Sequence, residues 1–197
     1  MLTKTQIRVL QIFSSKITKK FSIKEVAELL KKPYPLVHRS AQELLKENFI
    51  IRDEKGLISI NYRAHTSELS YVESIRGELS LKKDKTLSIF IKDVYAKIKS
   101  DFFVFLIFGS YVRKRNHRDI DILVIVESEQ KVDEIERILS NLAENFTKKF
   151  HIQVISVRSA YEMLAKRDQV NVFNETLNNH LLLFGAENYY RILQNAR

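Results

Sequence analysis

An α+β fold is predicted, built from a basic, helix-rich stretch closed by a short hairpin and then a small mixed β-sheet flanked by helices. Three observations carry this. Residues 1–47 alternate helical apolar stripes with cap residues. Two apolar runs, Phe102 to Phe108 and Ile122 to Val126, are short and sharply bounded, as buried strands are. Of the net charge of +9, residues 1–63 hold +7, from 13 Lys/Arg against 6 Asp/Glu. Charge gathered in one segment argues for a polyanion-binding module there. The 197 residues allow one domain or two small ones with real cores. With no cysteine, neither disulfides nor a thiolate zinc site is available. No apolar stretch approaches the roughly 20 residues that a membrane-spanning helix needs. The polar start, Met-Leu-Thr-Lys-Thr-Gln, lacks a signal-peptide core, so a cytoplasmic protein with no membrane partner is expected.

In order, Ile7, Val9, Leu10, Ile12 and Phe13 form a helical stripe over residues 4–15 behind the cap candidate Thr3. Ser22 to Glu25 reads as a capping box opening a second helix through Leu30. Pro33 and Pro35 mark a turn and the start of a third helix, running to about Glu47 with Leu36, Val37, Ala41, Leu44 and Leu45 on one side. Phe49 to Asn61 reads as two short strands around an Asp53–Gly56 turn. Residues 64–84 read as a stiff, polar, helical connector starting near Thr66 or Ser67. Beyond it, helices are expected over Leu87 to Ile98, Gln130 to Phe146, Ser159 or Ala160 to Ala165, Val170 to Leu183, and Asn188 to Gln194. A third strand is expected over Phe150 to Val157.

Three helices followed by a hairpin resemble the winged helix-turn-helix family over residues 1–62, which implies a DNA-binding domain at 1–63. In such a fold the second helix of the pair enters the major groove. With Val37, Ala41 and Leu44 inward, Tyr34, His38, Arg39 and Gln42 face outward. Arg39 and Gln42 can each form paired hydrogen bonds to purine edges. Lys31 and Lys32, with Arg52 and Lys55 on the wing, suit phosphates. The plainer reading of this domain is protein contact or dimerisation, with its lysines a solvated face.

Candidate chemistry sits between the two apolar runs. Phe108 is followed by Gly109-Ser110, and Asp119-Ile120-Asp121 leads directly into the second run. Side chains two apart on a strand share a face. A carboxylate pair so held suits Mg²⁺, with phosphate oxygens completing its shell. Glycine and serine at a strand end let a phosphate chain approach backbone N–H groups and a hydroxyl.

Gly109-Ser110, Arg113 and Asp119-Ile-Asp121-Ile-Leu-Val resemble the signature of the DNA polymerase beta-like nucleotidyltransferases, especially their small minimal members, over residues 85–197. The resemblance implies that Gly109, Ser110 and Arg113 bind a nucleoside triphosphate. It implies that Asp119 and Asp121 are catalytic and hold Mg²⁺ or Mn²⁺. The chain departs from the pattern in a short 111–118 loop without the usual glycine after Arg113. It departs again at Gln153, which stands where a third carboxylate is expected. An amide cannot serve as a general base. Glu127 lies about 20 Å along the strand; Glu162 and Asp168 depend on the fold. His151, on the face of Gln153, offers an imidazole.

Two functional classes follow. One is a Mg²⁺-dependent nucleotidyltransferase moving a nucleotide from NTP to an acceptor, with a DNA-binding winged helix. The other is a DNA-binding regulator or antitoxin-like protein whose transferase fold only binds nucleotide or a partner. The family resemblance adds a helical toxin-like protein as a partner, and paired winged helices imply a homodimer. The basic loop Arg113 to Arg118 faces triphosphate or acceptor, or is a solvated charge run. Tyr189-Tyr190 stack a base or pack on the terminal helix.

Overall fold

The structure is a computed structural model that describes residues 1–100, 102–113, 119–166 and 168–196. It begins with α1 (Lys4–Ser14), α2 (Ile23–Leu30) and α3 (Tyr34–Lys46). The expected Ser22–Glu25 capping box forms, and the cap candidate Thr3 forms another with Gln6. Thr3 accepts from the Gln6 amide while the Gln6 side chain accepts from the Thr3 amide, and Ser22 and Glu25 do the same. Pro33 is the N-cap of α3 and Pro35 lies in its first turn. Strands β1 (Ile50–Arg52) and β2 (Ile58–Ile60) pair antiparallel. The Asp53 carboxylate accepts from the amides of Lys55 and Leu57, both at 3.0 Å, and closes the turn. Val9, Leu10, Phe13, Val26, Val37, Ala41 and Leu44 are sealed from solvent in this bundle. Leu36 is the exception to the expected stripe, at 42% exposed. It lies in the first turn of α3, about 100° round from Val37, and the buried line there runs through Val37, Ser40, Ala41 and Leu44 instead.

The stretch read as a stiff connector contains α4 (Thr66–Leu81). It does not stand free in solvent. Leu69, Val72 and Glu73 are fully buried because the helix is wedged between α1 on one side and the later elements on the other. A helix covered on two sides has no single apolar stripe, so periodicity alone does not reveal its burial.

The second half runs α5 (Lys85–Lys97), β3 (Phe103–Phe108), β4 (Asp119–Val126), a short 3₁₀ turn at Glu129–Lys131, α6 (Val132–Ala143) and β5 (Lys149–Ser156). Then come α7 (Val157–Ala165), α8 (Val172–Thr176), β6 (His180–Phe184) and α9 (Ala186–Asn195). The sheet order is β5-β4-β3-β6. β4 and β5 are parallel, bridged by α6, while β3 is antiparallel to both β4 and β6. This is the small mixed sheet expected. β6 corrects the reading of Val170 to Leu183 as one helix. Only Val172–Thr176 is helical there; Leu181 and Leu182 pair instead with Ile107 and Leu106 on the otherwise open edge of β3. Leucine favours helices locally, but a buried strand edge with unpaired N–H and C=O groups outweighs that preference.

Alternation divides the sheet between two layers. Phe103, Phe105, Ile107, Ile120, Ile122 and Val124 pack under α5 and α6. Val104, Leu106, Phe108, Leu123 and Ile125 face α7 and α9, and that core continues without a break into the α1–α3 bundle. No helix among the described residues is long and apolar enough to cross a membrane.

Candidate active site

The site lies at one end of the second face, where β3 ends and β4 begins. Asp121 pairs in register with Phe108 on one side and His151 on the other. Asp119, Asp121, His151 and Gln153 share the face that carries Leu123 and Ile125 further along. Phe108 runs directly into Gly109, whose φ of +70° bends the chain over that row. A Cβ at Gly109 would overlap Asp121 Oδ2, so only glycine lets the turn lie against the carboxylate. The Arg113 amide donates to Gly109 O at 3.3 Å and closes the Gly109–Arg113 turn.

Asp119 is half-exposed, and its Oδ2 lies 3.6 Å from His151 Nε2. Sequence reasoning placed His151 on this face but not beside Asp119; the parallel β4–β5 register does that. Gln153 is exposed and stands opposite Leu123. Among the described residues, no acid occupies its place and no group of three His, Asp or Glu side chains gathers to hold a metal. Two carboxylates on one face are a donor set that one hard divalent ion could use where phosphate oxygens complete its shell. They do not furnish the bridging set for a second ion. Glu127 is tied to Lys131 at 3.1 Å and Glu162 to Arg158 at 3.2 Å, both out on the surface. Asp168 is exposed on the loop after α7. None of the three substitutes for the missing acid.

Arg113 is exposed at the end of the turn; residues 114–118, with the rest of the basic loop, lie outside the described residues. Behind the turn, Asp84 does work that the sequence did not disclose. Its Oδ1 caps α5 through the Leu87 amide at 3.0 Å, and its Oδ2 accepts from Lys148 at 2.9 Å and from Tyr111 at 3.3 Å. Burial raises the Asp84 carboxyl, but the Leu87 amide and Lys148 outweigh it and hold it below the usual carboxylate range. The same burial, with the Asp84 charge, pushes the Tyr111 phenol well up, so it stays a donor to Asp84. The turn that begins at Gly109 is thereby pinned to the start of α5. Tyr189 and Tyr190 are fully buried, which decides against base stacking.

On the N-terminal bundle, Tyr34, Arg39, Gln42, Arg52 and Lys55 are exposed, and His38 and Lys32 partly so. Tyr34 and His38 lie ring to ring at 5.5 Å, and Gln42 Nε2 is 3.2 Å from His38 Nε2. The polar face of α3 is thus continuous from its first turn to its middle.

An α+β domain with a carboxylate pair braced against a Gly-Ser turn is the class this half defines. Residues 91–172 match the family described as Polymerase beta, Nucleotidyltransferase, which supports a nucleotidyltransferase domain in this part of the chain. No curated protein matches the chain. A solved structure, the crystal structure of an IclR homolog from Microbacterium sp. strain HM58-2, aligns with 60% of this chain at 14% identity and a TM-score of 0.29. The chain spans 44% of that protein's length, a likeness too slight to define a fold.

Proposed function

We propose that the chain is a Mg²⁺- or Mn²⁺-dependent nucleotidyltransferase with a DNA-binding winged helix at residues 1–63. The observation that carries the transferase reading is the seat of Asp121 against Gly109, with Asp119 beside it, inside the matched segment. In the reaction, an acceptor hydroxyl oxygen attacks the α-phosphorus of an NTP. The bond from that phosphorus to the bridging oxygen breaks and pyrophosphate leaves. A divalent ion on Asp119 and Asp121 would supply charge neutralisation for the phosphates. Gly109 and Ser110 would receive the phosphate chain, and His151 is within reach to take the acceptor's proton. The exposed row Tyr34, His38, Arg39 and Gln42 supports DNA reading, as does the charge concentrated in this bundle. A homodimer on a two-fold site belongs with that reading.

Incubation with labelled NTPs, Mg²⁺ or Mn²⁺ and cell extract is expected to label an acceptor, and Asp119→Ala to abolish the label. Label that persists unchanged in Asp119→Ala defeats the assignment. The second reading, a nucleotide sensor or partner-docking protein without turnover, is favoured by Gln153 at the third acidic position. It predicts nucleotide binding with no label under any condition. For the DNA half, Arg39→Ala should weaken a selected site by about 1–3 kcal/mol in fluorescence anisotropy. An equal loss on every sequence would reassign Arg39 to phosphate.

A further inference from the structure

The loop after α1 and the turn before β6 are stitched together across the junction of the two halves. The Ile17 amide donates to Leu177 O at 2.9 Å and the Thr18 amide to Asn178 Oδ1 at 3.1 Å. Asn178 Nδ2 donates back to Thr18 Oγ1 at 2.6 Å. Beside this seam lies a cavity of ≈ 460 Å³ lined by Ser15, Lys16, Arg76, Arg113, Asn178 and Asn179, with Val112. Its polar lining is three cations, two amides and a hydroxyl; no lining side chain is acidic. Arg76 is mostly buried and fixed, donating to Glu73 at 2.6 Å, to Ser14 Oγ at 3.2 Å and to His180 O at 2.7 Å. Its charge is thus answered from behind. Among the described residues, no carboxylate lies within 4.0 Å of Lys16 or Arg113, so those two charges are not.

Uncompensated cations lining one recess repel each other until an anion enters, and amide and hydroxyl donors favour oxygen acceptors. The volume is large enough for a few phosphates. Arg113 closes the same turn that begins at Gly109, so the recess adjoins the turn assigned to the triphosphate. We infer that this recess binds the far end of a nucleotide's phosphate chain, beyond Gly109 and Ser110, with Lys16 contributed by the N-terminal half, so that the bound nucleotide bridges the two halves. The nucleotide's identity as ligand rests on the transferase reading; the anion site does not.

The test is calorimetric titration of the full chain with tripolyphosphate, pyrophosphate and ATP, in EDTA and then in Mg²⁺. In EDTA the wild type should bind tripolyphosphate, Lys16→Ala should bind it about tenfold more weakly, and Lys16→Glu should not bind. Stronger binding of ATP than of pyrophosphate assigns the recess to the substrate; the reverse assigns it to the released product. Binding equal in the wild type and Lys16→Glu, or no binding by the wild type in EDTA, overturns the inference. Lost labelling with this binding intact would defeat the transferase reading alone.

Discussion

Glu73→Ala should destabilise the protein by about 3–5 kcal/mol, the range for stripping one partner from a buried ion pair. Glu73 is 1% exposed. Its Oε2 takes a 2.6 Å hydrogen bond from Arg76, and its Oε1 takes one from Tyr190 at 3.2 Å and faces His180 Nε2 at 3.8 Å. His180 donates from Nδ1 to Thr176 O at 2.7 Å, since a carbonyl can only accept. Removing the carboxylate would leave the Arg76 guanidinium charged in a nearly dry site. Burial alone would raise the Glu73 carboxyl, but Arg76 and His180 outweigh it, so the group sits below its ordinary value. A carboxyl lowered in the folded state stabilises at pH above the unfolded glutamate value of about 4.3. That stabilisation fades as pH falls from there through the depressed folded value. Chemical unfolding at a series of pH values should show this loss in the wild type and a flatter acid limb in Glu73→Gln. The same acid limb in both would remove Glu73 from the account.

Gly185→Ala should cost about 3 kcal/mol or more, combining a left-handed backbone with overpacking. Gly185 has φ +73° and starts α9. A Cβ there would overlap the Phe103 carbonyl oxygen and come within 2.9 Å of Val104 Cα. Both belong to β3 and pair there in register with Val126 and Ile125 of β4, which resists their displacement. For a chain of this size that corresponds to roughly 6–12 °C in melting temperature. Gly185→Asn separates the two causes, because asparagine tolerates positive φ but carries the same Cβ. Equal losses in both variants point to the clash; recovery in Gly185→Asn points to backbone conformation.

Features written within a few residues were legible from the sequence. The Ser22–Glu25 capping box and the Thr3 cap form because the partners are three residues apart. Asp119 and Asp121 share a face because strand periodicity requires it. What stayed hidden depends on distant pairing. β6 exists because β3 offers an edge, which no local pattern reports. Arg76 reaches His180 across 104 residues and Tyr190 reaches Glu73 across 117, so the polar core of the junction has no sequence signature. His151 was placed on the right face, but only the β4–β5 register brings it to Asp119. Leu36 departs from the expected stripe because it lies about 100° round α3 from Val37, off the buried line through Val37, Ser40, Ala41 and Leu44.

The wedge position of α4 bears on how this chain can be taken apart. Leu69 and Val72 belong to a single apolar seam running from Val9 to Tyr190. Severing the polypeptide after Arg63 would therefore leave greasy, adhesive surfaces on both fragments. The halves are not detachable cassettes, and transplanting the N-terminal bundle elsewhere would require carrying α4 along with it.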